Sequence, residues 1–204
     1  MSTIGVDLDN TIVCYDRLIH QTACEWRLIP TEIASSKSAV RNYLRAHGQE
    51  DAWTELQGYI YGKGMRYADP FPGVLEFFAL CRERSVPVGI ISHRTAQPFK
   101  GPAYDLHQAA HEWIQRHGFY DEARIGLSSA QVFFELTKAG KLTRIAKMDC
   151  KFFVDDLPEF LGEPGFPKGV EKILFDPGEH CNDENRFRRV KSWHELFDWL
   201  VARA

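Results

Sequence analysis

The chain has 204 residues, of which 44% are hydrophobic and 13% aromatic, a composition that suits a folded domain with a buried core better than a disordered chain. Its net charge is −3 with both signs spread along the sequence, which argues against nucleic acid or an anionic membrane as a partner. No apolar stretch approaches the ~18 residues of a membrane span, no signal peptide is recognisable, and the five scattered cysteines are typical of reduced thiols. We therefore expect a cytoplasmic protein.

The pattern of apolar residues predicts a short strand at 4–6, a helical segment over 14–70, and alternating strands and helices from residue 72 onward. The final helix begins after Ser192, whose spacing to Glu195 is that of a capping box. Further helices are predicted at 24–28, 31–47, 52–61, from Val74, from Leu106 and at 138–148, and further strands at 87–92, 124–127, 151–154 and 170–175.

The predicted strands are short apolar runs without polar alternation, and helices separate them. This pattern is typical of an α/β protein with a parallel sheet covered on both faces. In such sheets ligands bind at the carboxyl ends of the strands, near the point where the strand order reverses. Polar side chains follow three of the predicted strands at that edge: Asp7, Asp9, Ser92, Asp155 and Asp156.

Each of these residues alone is more often a solvated turn or a helix cap than a site. Together, four carboxylates at neighbouring strand ends repel one another unless a cation lies among them. An all-oxygen set of carboxylates with room for water and phosphate is what Mg²⁺ prefers. The sequence therefore predicts a magnesium site.

The order of these motifs resembles that of the haloacid dehalogenase (HAD) superfamily. The resemblance covers residues 4 to about 160: the run DLDNT at 7–11, Ser92 after a strand, a lysine, and the run FFVDD at 152–156. It implies a Rossmann-like, three-layer parallel-sheet core with a small helical cap inserted after the first strand. The expected domains are a core of 1–13 and 71–204 and a cap of 14–70.

The resemblance also implies roles for these residues. Asp7 would be the nucleophile that forms an aspartyl-phosphate, and Asp9 the general acid and then base. Mg²⁺ would be bound by the Asp7 side chain, the Asp9 carbonyl and the Asp156 side chain, with Asp155 nearby or bound through water. Ser92 would hold phosphate oxygens.

Other polar residues near the motifs are further candidates for contact with the substrate. The phosphate-binding lysine could be Lys138, which begins a helix after Thr137, or Lys141, one turn further in. The residues predicted to line the substrate site are Thr11, His93 and Arg94.

The expected function is magnesium-dependent hydrolysis of a phosphomonoester, with a small soluble phosphorylated metabolite as substrate. A phosphomutase or phosphonate hydrolase of the same superfamily, or a non-catalytic metal- or partner-binding module, are the alternatives. A dehalogenase would need neither Asp9 as an acid nor a metal. The polar stretch 177–190 is predicted to be a surface insertion.

Overall fold

The structure, a computed structural model, describes residues 3–179, 181 and 186–201. Its strands are β1 (Thr3–Val6), β2 (Val13–Cys14), β3 (Asp69–Pro70), β4 (Val88–His93), β5 (Val132–Glu135), β6 (Cys150–Asp155), β7 (Glu171–Phe175) and β8 (Arg188–Val190). Its helices are α1 (Asp16–Glu25), α2 (Lys37–Ala46), α3 (Glu50–Tyr61), α4 (Val74–Glu83), α5 (Leu106–Arg116), α6 (Lys138–Lys147), α7 (Pro158–Leu161) and α8 (Trp193–Val201).

Six of these strands form one sheet in the order β5-β4-β1-β6-β7-β8, and every neighbouring pair is parallel. The chain adds strands to one side of β1 and then crosses to the other side, so the strand order reverses at β1. Strands β2 and β3 form a separate two-stranded sheet. The predicted α/β class with a parallel sheet and a helical insertion after the first strand is confirmed.

Helices cover both faces of the sheet because successive side chains of a strand point to opposite faces. The ring of Phe152 lies 5.6 Å from that of Trp199 in α8, whereas the ring of the next residue, Phe153, lies 6.0 Å from that of Phe160 in α7. Gly5 in β1 leaves the space that Phe153 occupies, since a Cβ there would lie 2.6 Å from its Cδ2 atom. The core is therefore built in three layers.

The contacts divide the chain into two compact units. The first contains the described residues of Met1–Val13, Pro70–Arg94 and His117–Ala204, and the second contains Cys14–Asp69 and Thr95–Arg116. The second unit thus includes α5, which lies within the range 71–204 predicted for the core domain. The domain boundaries themselves stay a prediction.

The second unit has its own buried core of aliphatic and aromatic side chains from α1, α2, α3 and α5. Leu44 and Leu56 are fully buried within it. The indole nitrogen of Trp113 in α5 donates a hydrogen bond of 2.8 Å to the carbonyl oxygen of Ala68, so this buried polar atom is satisfied. The contact connects α5 to the segment that follows α3 within the same unit.

Two elements predicted for the first unit are wrong. Residues 124–127 form a turn and not a strand, because the backbone N–H groups of Ile125 and Gly126 both donate to the carbonyl oxygen of Asp121 and Gly126 has a φ of +65°. The strand that follows α5 in the chain and pairs with β4 is β5, which begins at Val132. The stretch 177–190, predicted to be an insertion, contributes strand β8 to the sheet; its residues 180 and 182–185 lie outside the described residues.

In the second unit the predicted helix at 24–28 is wrong, since α1 ends at Glu25 and Arg27 has a φ of +57°. The helix predicted at 31–47 begins only at Lys37, because the Ser36 side chain accepts a hydrogen bond from the backbone N–H of Ala39 and so fixes the N-cap there. No helix in the described part of the chain is long and apolar enough to cross a membrane.

Candidate active site

Three carboxylates lie together at the carboxyl edge of the sheet. The backbone N–H of Asp7 donates to the carbonyl oxygen of Val154, 2.9 Å away, which holds the end of β1 beside the end of β6. Asp155 is the last residue of β6 and Asp156 follows it. Oxygen atoms of Asp7, Asp155 and Asp156 all lie within 4.8 Å of one another, so the predicted gathering of these side chains is observed.

This carboxylate cluster suits a hard divalent cation. Asp7 and Asp155 are buried, and Asp156 is half-buried, so the three negative charges have little water to screen them. A set of carboxylate oxygens at this spacing is the ligand chemistry that Mg²⁺ takes, with water or phosphate completing its shell. The residues present therefore fit the metal that the sequence predicted.

Lys141 of α6 supplies the positive charge within the cluster. Its Nζ atom lies 2.5 Å from Oδ1 of Asp7 and 2.6 Å from Oδ2 of Asp155, and its side chain is buried. The ring of Phe160 covers the same ammonium group at 4.2 Å from its centroid. Of the two lysines left open by the sequence, Lys141 therefore lies in the site.

Lys138 lies at the first position of α6 and points elsewhere. Its side chain is about half exposed, and its Nζ atom is 3.4 Å from a carboxylate oxygen of Glu163. The N-cap predicted at Thr137 is present, since its hydroxyl accepts a hydrogen bond of 2.9 Å from the backbone N–H of Gly140. The predicted contact of Lys138 with the substrate phosphate is thus not supported by its position.

Burial and crowding of charge perturb the pKa values of the cluster. Burial, together with the nearby charges of Asp155 and Asp9, raises the pKa of Asp7 to about 7 even though Lys141 lowers it. Burial opposes the charge of Lys141, but Asp155 and Asp7 outweigh it and raise the pKa of Lys141 above its ordinary value. One ammonium group therefore does not fully compensate the negative charge of the carboxylate cluster. A divalent cation would add the missing positive charge.

Asp9 is positioned by a tight turn after β1. Asn10 adopts a φ of +59°, which asparagine tolerates better than most residues, and the N–H groups of Ile12 and Val13 both donate to the carbonyl oxygen of Leu8. The carboxylate of Asp9 contacts Arg94, whose Nη1 atom lies 2.6 Å from Oδ1 and 2.7 Å from Oδ2. Arg94 was predicted to line the substrate site, and no sequence signal indicated its contact with Asp9.

Of the remaining predicted site residues, two lie at the end of β4 and one lies in the turn between β1 and β2. Ser92 is buried near the end of β4, and His93 is exposed at its last position. Partial desolvation lowers the pKa of the His93 imidazole below its ordinary value, and the ammonium groups of Lys141 and Lys138 act in the same direction. Thr11 is fully buried, and its hydroxyl oxygen has no hydrogen-bond partner among the described residues.

A separate cavity of about 380 Å³ lies within the second unit. Lys63, Arg66 and Arg116 line it together with the ring of Tyr104. That ring packs against Gly62, where a Cβ would lie 2.6 Å from the Tyr104 Cβ atom, so only glycine leaves it room. Lys63 and Arg66 lie in the predicted helical segment 14–70, whereas Tyr104 and Arg116 lie outside it.

Comparison with known proteins identifies the fold of this chain. No protein-family model matches the chain. No curated protein matches it either. Among solved structures, a HAD family hydrolase from Deinococcus radiodurans R1, solved with bound phosphate and sodium, has a TM-score of 0.61 at 16% identity, over 99% of this chain and 96% of that one.

Two further solved structures are similar over nearly their whole length. A dehalogenase has a TM-score of 0.60 at 13% identity, over 98% of this chain and 96% of that one. The HAD hydrolase YfnB from Bacillus subtilis, bound to magnesium, has a TM-score of 0.58 at 12% identity, over 98% of each chain. At these identities the likeness shows the fold, which is that of the HAD superfamily.

Proposed function

We propose that this protein, which has the fold of the HAD superfamily, is a magnesium-dependent phosphomonoester hydrolase that acts on a small soluble phosphorylated metabolite. The observation that carries the proposal is the carboxylate cluster of Asp7, Asp155 and Asp156 with the ammonium of Lys141 inside it. A nucleophilic carboxylate must approach a phosphate dianion, and this arrangement offers both the carboxylate and the positive charge that makes the approach possible.

Asp7 is the nucleophile of the proposed reaction. One of its carboxylate oxygens forms a bond to phosphorus while the bond from phosphorus to the ester oxygen breaks. Lys141, which already contacts Asp7 Oδ1 at 2.5 Å, orients this carboxylate and offsets the charge that gathers on the phosphoryl oxygens. Asp7, Asp156 and the Asp9 carbonyl, with Asp155 nearby, would hold Mg²⁺, which would supply further positive charge near the phosphoryl group.

Asp9 is the proton donor and acceptor. Its proton goes to the ester oxygen that leaves with the bonding electron pair, so the alcohol departs neutral. Asp9 then accepts a proton from the water that attacks the aspartyl-phosphate on phosphorus, which restores the Asp7 carboxylate and releases inorganic phosphate. Its position two residues after Asp7, directly before the turn at Asn10, supports this division of roles.

The phosphoryl oxygens need hydrogen-bond donors as well as charge. Ser92 and Thr11 are buried hydroxyl residues at or next to the strand ends, and the Thr11 hydroxyl has no partner among the described residues. We assign both hydroxyls to the phosphate, with His93 following Ser92 at the end of β4. A bound phosphate would satisfy the buried Thr11 oxygen, which is otherwise costly.

The test is hydrolysis of p-nitrophenyl phosphate by the full chain with and without Mg²⁺, next to chloride release from 2-chloropropionate. The proposal expects phosphate release that requires Mg²⁺, no chloride release, and a loss of at least about 10⁴-fold in Asp7→Asn, because the amide keeps the shape but is not a nucleophile. The matched control is Asp149→Asn, the same change at an exposed carboxylate paired with Lys151. Equal turnover by wild type and Asp7→Asn, or chloride release, contradicts the proposal.

A further inference from the structure

The cavity of the second unit has more positive than negative side chains on its wall. Its volume is about 380 Å³, and every residue that lines it belongs to the ranges Cys14–Asp69 or Thr95–Arg116. Pockets that bind small molecules have volumes of about 300–1,000 Å³. The charged residues on the wall are Lys63, Arg66, Arg116, Asp105 and Glu112. The cavity is therefore large enough for a small ligand and carries an excess of positive charge.

The three cations of the cavity come from two segments of the chain that meet there. Lys63 and Arg66 lie in the turns that follow α3. Arg116 is the last residue of α5. The half-buried Tyr104 joins the two segments, since its Cβ atom lies 2.6 Å from the place that a Cβ on Gly62 would take. Tertiary packing, and not a local sequence pattern, thus gathers the positive charge.

None of these three cations has a carboxylate partner in the described part of the chain, although other cations of the same unit do. The paired cations are Arg17 with Asp69, Arg45 with Glu50 and Lys100 with Asp51. Like charges around one concave surface add to a common positive potential, which concentrates anions there. An anion in the cavity would supply the counter-charge that the protein does not.

The two carboxylates of the cavity are already occupied by contacts within their own helix. Oδ1 of Asp105 accepts a hydrogen bond of 2.8 Å from the backbone N–H of Gln108, which caps the beginning of α5. Oε1 of Glu112 accepts a hydrogen bond of 3.0 Å from Nε2 of the same Gln108. These contacts account for both negative charges and leave the three cations to a ligand.

We propose that this cavity binds a small anion that carries at least two negative charges on carboxylate or phosphate groups. Guanidinium groups such as those of Arg66 and Arg116 donate two parallel hydrogen bonds to either group, and the ammonium of Lys63 adds a point charge. The Tyr104 ring offers an apolar surface to the rest of the ligand. No residue of the carboxylate cluster lines this cavity, so the anion site is additional to the proposed active site.

The experiment measures the Kd of citrate and of inorganic pyrophosphate by isothermal titration calorimetry. The full chain is first made metal-free with a chelating resin, because EDTA is itself a polycarboxylate. Trimethyl citrate is the matched probe without charge. The variants are Arg66→Gln, Arg116→Gln and Gly62→Ala, and the control is Arg27→Gln, an exposed arginine of the same unit that does not line the cavity. Circular dichroism checks the fold of each variant, and backbone amide shifts in ¹⁵N NMR spectra locate the bound probe.

The expected result is binding of at least one of the two anions, with Kd raised at least about tenfold in Arg66→Gln and in Arg116→Gln, because each change removes a charge-assisted hydrogen bond. Arg27→Gln keeps Kd within about twofold of wild type, and trimethyl citrate binds at least about tenfold more weakly than citrate. Gly62→Ala weakens binding without a change of charge, since the new Cβ displaces Tyr104. The largest amide shifts lie within 62–66 and 104–116. Binding of citrate alone assigns a carboxylate ligand, and binding of pyrophosphate alone assigns a phosphate ligand.

Three results would overturn the inference. Failure of wild type to bind either anion shows that the cavity is not an anion site. Equal Kd values in wild type and both arginine variants, or equal affinity for citrate and trimethyl citrate, show that the positive charge of the cavity does not recognise the ligand. Amide shifts confined to residues next to Asp7 and Asp155 place the anion at the carboxylate cluster instead.

Discussion

The ammonium group of Lys141 lies 2.5 Å from Oδ1 of Asp7, although 134 positions separate the two residues in the chain. The contact brings the end of the first strand and the second turn of α6 into one buried site. It makes Lys141 the counter-ion of the proposed nucleophile. The same ammonium group also contacts Asp155, so a single side chain links two of the three carboxylates.

Replacing Lys141 with Met should therefore remove both activity and stability. Asp7 and Asp155 would remain buried without their common partner, a loss of about 3–5 kcal/mol in the free energy of unfolding. Activity on p-nitrophenyl phosphate should fall by at least about 10²-fold, because positive charge near the phosphoryl oxygens is lost. Urea unfolding and steady-state kinetics measure the two effects.

Lys138→Met is the matched control for this change, since it removes a lysine from the same helix. The Lys138 side chain is about half exposed and 3.4 Å from Glu163, so its removal should cost less than about 1 kcal/mol. Activity should stay within a few-fold of wild type. If Lys138→Met proves as damaging as Lys141→Met, the assignment of Lys141 as the lysine of the site is wrong.

Binding of Mg²⁺ should stabilise the folded protein even without substrate. A ligand that binds only the folded state at about 100 times its Kd adds about 2.7 kcal/mol to the free energy of unfolding. Asp156→Asn removes one carboxylate of the cluster and should reduce this increment, whereas the exposed Asp149→Asn should not. The measurement is urea unfolding in EDTA and in MgCl₂. An increment that is the same in Asp156→Asn and wild type would place the ion elsewhere.

The stability of the metal-free protein should depend on pH through Asp7. Its pKa is raised from 3.8 to about 7 by burial first, and also by the charges of Asp155 and Asp9, so the folded state binds a proton more tightly than the unfolded chain does. This contribution is fully present below pH 3.8 and is lost as the pH rises to about 7. The slope is at most about 1.4 kcal/mol per pH unit for one proton.

The test subtracts the unfolding free energy of Asp7→Asn from that of wild type at each pH, both in EDTA. The difference should decrease as the pH rises through this window, because only wild type has the titrating carboxylate. Saturating Mg²⁺ should make this difference in unfolding free energy less dependent on pH, since the cation favours the ionised form of Asp7. A difference that grows with pH would mean that Lys141 dominates and that the pKa of Asp7 is lowered.

Much of the site could be predicted from sequence because its residues follow short apolar strands. Asp7 and Asp155 each come at the end of such a run, and a parallel sheet brings those ends to one edge. The choice between Lys138 and Lys141 could not be made this way, because both lie near the beginning of α6. The choice depends on which side chain reaches the buried carboxylates, and that is a property of tertiary packing.

Other features have no local signal. Ile125 and Leu127 have the apolar pattern of a strand and are buried, but the hydrogen bonds to Asp121 close a turn there. The membership of α5 in the helical unit depends on the long-range contact of Trp113 with Ala68. The pairing of Arg94 with Asp9 depends on the neighbouring ends of β1 and β4, which only the folded sheet defines.

The central claim is that Asp7 carries a phosphoryl group during turnover. In Asp9→Asn the aspartyl-phosphate should form from p-nitrophenyl phosphate, whose leaving group needs little proton donation, but should hydrolyse slowly because the base is missing. Mass spectrometry of the quenched and digested Asp9→Asn variant measures the amount and position of the aspartyl-phosphate directly. We predict one added phosphoryl group on Asp7 in the presence of Mg²⁺; continued phosphate release with the group on another residue, or on none, would contradict the account.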